Sequence, residues 1–423
     1  GTDGKPIRLD APRRTDTAGT VENREDLAAL GSVVPSIVPW FGGALVGGQL
    51  LAYAVGALVR RRARRPGRVR RVDQVMTGTA LAAACAPAAT YLTAPTDWWT
   101  YRIPGLALAS CGLVLAVALA GFCVLVAGSR PWGIPAAVAG VTWAVLTADG
   151  ISGTPLQYGS LLVSGPAVSG RFYGFNNATF AVYATSTLLL AGAVAAALRA
   201  RGRRGYAALA VAAIGAVAVA VDGWPAFGAD FGGVLALVPG LALLALAAAG
   251  RRVTAARLGT AAVTAVVTVT GIAVADWLRP EDRRTHLGDF VGRVLAGDAG
   301  DIVARKAEAS LATLLFPVAG PFVVVAFAVA TAAVWRPDRL RLAGLARAFE
   351  RTDLLRPTLA GVVVTGVIGF LVNDTGIVVP GMALLLAVPL LVATCVRTAP
   401  APAPAPVSPE VPGAYSARES SRS

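Results

Sequence analysis

The sequence predicts an all-α polytopic transmembrane helix bundle of about eleven spans. Three observations predict it. Hydrophobic residues fill 55% of the 423 positions and charged residues 15%, against about 25% charged in an ordinary soluble chain. Apolar runs of roughly 20 residues recur along almost the whole length, more than one soluble core can bury. Arginines gather in alternate short loops between those runs, as the positive-inside rule requires. Backbone polar groups inside a bilayer must be satisfied within the segment or by closure into a barrel. The period-two alternation of a barrel is absent, so the spans are helices.

The first thirty residues are polar and hold no span. The segment 1–32 is expected outside the membrane, as the trailing end of an upstream domain. A transmembrane domain over 33–397 follows. Its spans fall at about 35–59, 75–94, 104–127, 132–148, 177–198, 205–221, 231–249, 258–275, 310–335, 358–373 and 377–396. The Pro- and Ala-rich tail, 398–423, has the composition of a disordered segment.

Loop charge orients the bundle. The connections at 60–71, 129–131, 199–204, 251–257 and 336–357 are basic, and Arg397 follows the last span. The alternate connections, around Asp97 and at 149–176, 222–230, 276–309 and 373–376, are acidic or balanced. The basic side is expected in the cytoplasm, which puts the N-terminus outside and the C-terminus inside. Trp98 and Trp99 are expected at an outer interface, where amphipathic rings are favoured. Leu287, Phe290, Val291, Val294 and Leu295 recur at helical spacing and predict an amphipathic surface helix.

The net charge of +14 does not make nucleic acid a partner, because the arginines sit in loops between spans and no nucleic-acid-binding motif accompanies them. Cys85, Cys111, Cys123 and Cys395 all lie within apolar runs, without metal-ligand spacing. No Walker loop, G-x-G-x-x-G, H-E-x-x-H or G-x-S-x-G is present, so no ATP motor, cofactor or metal site is expected. Lysine occurs only at Lys5 and Lys306 amid many arginines and alanines, a bias of high-GC, actinobacterial-type genomes.

Residues able to carry chemistry collect on the outer side. Asp149 is followed by Arg171, Tyr173, Asn176 and Asn177 in GRFYGFNN, then by Asp222 and Asp230 in DGWPAFGADFGG. Asp276, Arg279, Arg283, Arg284 and His286, the only histidine, lie in DWLRPEDRRTHLGDF, and Asn373 and Asp374 in NDTGIVVPG. Arginine forks suit phosphate or carboxylate, while Asp and Asn suit hydroxyls, a cation or a proton relay. Each has a structural alternative. Asp230 and Asp374 precede spans as helix caps would. Asp276 and Arg279 are spaced to pair on one helix face. Arg283, Arg284 and His286 fit a solvated loop equally well. Tyr173 and Phe175 fit an interfacial anchor. His286 has no nearby His or Cys to share a metal.

GRFYGFNNATFAVY, DGWPAFGADFGG, DWLRPEDRRTHLGDF and NDTGIVVPGMAL resemble a family of actinobacterial polytopic envelope membrane proteins. In that family an external domain resembling the alkaline-phosphatase and sulfatase superfamily precedes a multi-span membrane half. The resemblance covers residues 1 to about 396 and implies topology and compartment, a multi-pass protein of the bacterial plasma membrane, but no catalytic residue.

Three functions follow as expectations. One is binding or processing of a lipid-linked or anionic envelope substrate at the extracytoplasmic face. Another is a secondary transporter or lipid flippase, with Gly- and Pro-interrupted segments around the substrate. The third is a membrane anchor or scaffold for an external domain. Beyond the lipid bilayer and such a substrate, the sequence indicates no partner and leaves the oligomeric state open.

Overall fold

The computed structural model describes residues 17–399 except 64, 129, 131, 158, 163–173, 281–283 and 285; for residues 17–27, 286 and 287 it describes the backbone alone. Every regular element among them is helical. In chain order these are α1 (Thr17–Arg62), α2 (Pro66–Leu92), α3 (Pro104–Ala127), α4 (Gly133–Ile151), α5 (Asn177–Arg199), α6 (Arg204–Gly223) and α7 (Phe231–Ala248). They continue with α8 (Ala255–Trp277), α9 (His286–Leu295), α10 (Ala299–Leu314), α11 (Ala319–Trp335), α12 (Ala343–Arg351), α13 (Leu355–Val372) and α14 (Val378–Arg397). Short 3₁₀ turns at Ala94–Thr96, Trp98–Thr100 and Pro155–Gln157 join the longer pieces. Ten helices are long and apolar enough to cross a membrane, or up to eleven if the bent pair α10–α11 is one span. The chain is an integral membrane protein.

Two spans depart from expectation. The span expected at 310–335 is broken, because α10 and α11 meet at 90°. Pro317 lies in the break; it has no N–H to give and its ring excludes the preceding turn. Residues 17–32 are helical and continue into the first span. Helix α1 runs unbroken for 46 residues from Thr17 and carries Pro35 and Pro39 inside it. At 1.5 Å per residue it is about 69 Å long, more than twice the hydrocarbon thickness. The tail beyond Ala399 lies outside the described residues.

Helix α5 is the axis of the bundle and packs on α4, α6, α7, α13 and α14. In lipid, close approach of backbones replaces the hydrophobic drive, so small residues mark the seams. At the α7–α13 crossing a Cβ on Gly240 would overlap Thr365 Oγ1 and lie 2.8 Å from the carbonyl oxygen of Gly361. Gly192 of α5 fits as tightly against Thr358 of α13. The periphery is α1, α3, α8 and α11, whose outward faces present Leu113, Leu125, Val267 and Val325 as a membrane solvent demands.

The helix ends sort into two rims. At one, arginines donate to the carbonyls that a helix C-terminus leaves over. Arg199 Nη1 reaches the Ala247 and Ala248 oxygens at the end of α7, at 2.9 and 3.3 Å. Arg356 takes Val334 and Trp335 at the end of α11, both at 2.9 Å. Arg351 takes Thr398 beyond α14 at 2.8 Å, and Arg397 takes Gly128 beyond α3 at 3.3 Å. The opposite rim carries Asn176 and Asp230, whose side chains accept from Thr179 and Gly233 N–H to cap α5 and α7.

The crossing at Gly240 yields a prediction. Gly240→Ala should destabilise the bundle by about 1–3 kcal/mol, as overpacking does. Gly259→Ala, on the open face of α8 where nothing lies within 4 Å, should be neutral or stabilising by up to about 1 kcal/mol. Unfolding of the two variants in detergent measures this, and equal effects would contradict the close crossing.

Candidate functional site

The acidic rim is assembled at the ends of α2, α4, α6, α8 and α13 and the starts of α5, α7 and α14. Its first group is centred on Asp149, in the last turn of α4. The chain reverses at Gly153 and Thr154, both with positive φ. That reversal brings Leu156 N–H to Asp149 Oδ1 at 2.7 Å and Gln157 Nε2 to Oδ2 at 2.8 Å. Gln157 Oε1 accepts from Thr179 Oγ1 at 2.7 Å, and Tyr91 OH lies 2.8 Å from the same hydroxyl. Thr179 has a single proton, committed to Gln157, so Tyr91 donates to Thr179. This buried chain ties α4, α5 and α2 together across the bundle at one depth. A carboxylate removed from water is tolerable when its lone pairs are filled in this way.

The second group lies at the start of α7. The α6–α7 turn is closed by Gly228 N–H on Val221 O at 2.7 Å and Asp230 N–H on Asp222 O at 2.8 Å. Asp230 Oδ1 then caps Gly233 N–H at 3.2 Å. A Cβ on Gly233 would overlap Asp222 Oδ2 and come within 2.9 Å of Asp230 Oδ2, so the two carboxylates flank one point. A Cβ on Gly232 would overlap Asn373 Oδ1 and lie 3.5 Å from Asp230 Oδ1. The glycine pair is what lets these side chains close on the helix start. Asp222 is 0% exposed, Asp230 5% and Asn373 4%. Asn373 Nδ2 meets no hydrogen-bond partner among the described residues. The Asn373 carbonyl accepts from Ser310 Oγ, and Ile377 N–H donates to Thr313 Oγ1 at 3.1 Å, which docks α10 on the α13–α14 turn.

The third group closes α8. Asp276 is buried, accepts Gly288 N–H on Oδ2 at 2.9 Å and pairs with Arg279 Nη1 at 3.2 Å. Arg284 donates through Nε to the Arg279 carbonyl at 2.9 Å, and its guanidinium stands 5.7 Å from the Trp277 ring centre. The amphipathic helix expected near 287–295 is α9; its Gly288 and Gly292 lie against Asp276 and Trp277, so it folds back on the end of α8.

Of the residues singled out in the sequence, Asp222, Asp230 and Asn373 come together, Asn177 meets Asp374, and Asp276 meets Arg279. Asp149 and Asp276 anchor neighbouring chain instead of lining an open basin. Arg171, Tyr173 and Arg283 lie outside the described residues, and of His286 only the backbone is described. Asp374 is not a cap: Ile377 precedes α14, and Asp374 Oδ1 accepts from Asn177 Nδ2 at 2.9 Å. Neither Trp98 nor Phe175 is an interfacial anchor. Trp98 is buried and donates to Gly159 O at 2.8 Å, while Phe175 packs edge-on to Tyr183 with centroids 5.4 Å apart. Both belong to loops that fold inward onto helix ends, and hydropathy does not report that. Gln157, Thr179, Tyr91, Ser310 and Thr313 were missed because each acts across elements. The one available signal was the Gly-Gly pair after Asp230, which marks a close approach. No group of three His, Cys, Asp or Glu able to hold a metal occurs among the described residues.

The two kinds of polar contact predict opposite mutational costs. Gln157→Leu leaves buried Asp149 short of a donor and should cost about 3 kcal/mol. Asp374→Ala removes an exposed contact and should change stability by less than about 0.5 kcal/mol. Denaturation of both variants in the same detergent compares them; a neutral Gln157→Leu would mean that the Asp149 chain holds nothing together. Compared with protein-family profiles, with curated proteins and with solved structures, the chain matches none.

Proposed function

We propose that this is a multi-pass protein of a bacterial plasma membrane that binds or processes a lipid-linked or anionic envelope substrate at its acidic rim, and that this rim faces outward. One observation carries the reading: two buried carboxylates, Asp222 and Asp230, flank the same glycine beside the amide of Asn373. Capping α7 requires one acceptor, and Asp230 supplies it. A second buried carboxylate at the same point is costly unless it is paired, and ionisable groups held near a membrane interior mark function more often than architecture.

The chemistry of the group narrows the ligand. Ionised carboxylates only accept hydrogen bonds, so they take hydroxyl or ammonium donors. Arg279 and Arg284, on the next connection along the same rim, supply the forks that suit phosphate. A ligand with hydroxyls and phosphate in one headgroup, a lipid-linked saccharide, matches both. The arginine-rich opposite rim supports the outward orientation of the acidic one.

The anchor reading has its own support. Asp149, Asp230 and Asp276 all accept backbone N–H groups, as purely structural acids do. The experiment that separates the two readings is native mass spectrometry of the full chain extracted from its own membranes. A headgroup-bearing lipid should be retained by the natural sequence and lost, at least tenfold, in Asp222→Asn and Asn373→Ala variants of unchanged thermal stability. Equal retention by all three would leave the acids as architecture and move the function away from this rim.

A further inference from the structure

The arginine-rich rim holds a second feature that the acidic rim does not explain. A cavity of about 440 Å³ opens between the end of α5, the end of α7, the α12–α13 turn and the start of α13. Arg199, Arg351, Thr352 and Arg356 line it, with Glu350 and Asp353, and Phe349 and Leu354 give it an apolar wall. Its volume lies within the range of small-molecule sites.

The acids leave a basic balance. Asp353 is already taken: its Oδ2 pairs with Arg199 Nε at 2.8 Å, and its Oδ1 accepts Leu354 N–H at 3.0 Å. The arginines are not exhausted. A guanidinium has five N–H donors. Arg351 uses Nη1 on Thr398, and Arg356 uses Nε and Nη2 on the end of α11. These bonds hold both forks and leave the remaining donors without a partner among the described residues. The first turn of α13, an 18-residue helix, adds the positive end of a helix dipole. The independent sign of a ligand is Thr352. The residue lies in the cavity wall and is 2% exposed, and its Oγ1 is buried with no hydrogen-bond partner among the described residues. A buried hydroxyl is rarely left so.

We propose that this cavity binds a phosphate group, with Arg351, Arg356 and Thr352 Oγ1 as its donors and Arg199 holding Asp353 out of the way. The phosphate is either the headgroup of an acidic phospholipid in the adjoining leaflet or a soluble phosphate. The charge of the loops puts this rim on the cytoplasmic side, where acidic lipids and phosphorylated solutes both occur.

The test is thermal unfolding of the full chain in phosphatidylcholine nanodiscs, with phosphatidylglycerol added to the lipid or inorganic phosphate to the buffer. The natural sequence should gain stability with one or both. Thr352→Val and Arg351→Gln should weaken the apparent affinity about tenfold, the loss expected for a charge-assisted hydrogen bond. A response to phosphatidylglycerol alone identifies the headgroup; a response to inorganic phosphate as well identifies a soluble source. Arg351→Gln also gives up its bond to Thr398, so Thr352→Val, which has no bond to lose, is the cleaner variant. No response from the natural sequence, or an undiminished response from Thr352→Val, overturns the proposal.

Discussion

Every α-helix leaves four N–H groups unpaired at its start and four carbonyls at its end. In a soluble protein, water absorbs most of them. Here ten or eleven crossings put about twenty such termini near a low-dielectric slab, and the arrangement of polar residues follows from that single constraint. Asn176 and Asp230 answer for two helix starts, and Arg199, Arg351, Arg356 and Arg397 for helix ends. The acids and the arginines are thus segregated by the polarity of the peptide bond as well as by the rules of insertion.

The two causes of segregation reinforce each other. Helices that run toward the arginine-rich rim end there with a partial negative charge, and cations are favoured beside it. The same arginines are what loop charge counts when it sets orientation. A guanidinium has enough donors to serve a neighbouring helix end and still meet something else. On the acidic rim Asp222 stands as a second carboxylate beside the helix start that Asp230 caps, and it has contacts of its own. On the basic rim Arg351 and Arg356 keep N–H groups that meet no partner among the described residues.

How legible all this was depends on the range over which each signal acts. Spans such as 104–127 and 177–198 could be read to within a residue or two, because apolar length is a local property. The Asp276–Arg279 pair was readable for the same reason, lying on one turn. The break before α11 had a local cause in Pro317 but was masked by the apolar residues on either side of it. Gln157 and Thr179 are 22 positions apart and meet only because the 149–157 segment doubles back; no period or motif announces it. Trp98 and Phe175 were misplaced because amphipathic rings near a span end satisfy the interface rule whether they face lipid or fold inward. Their burial is decided by loops, where hydropathy carries little information.

The crossing at Gly240 and Gly361 bears on how the molecule can move. Backbone against backbone there is no compressible layer of side chains between α7 and α13, and Gly192 couples α5 to the same helix. These three helices therefore pack as one close-fitted core. A cycle in which α7 slides past α13 would have to part backbone from backbone at this crossing. Among the described residues the outer helices α1, α3, α8 and α11 have no such crossing with this core; most of their surface is exposed, so side chains and not backbone set how closely they approach it.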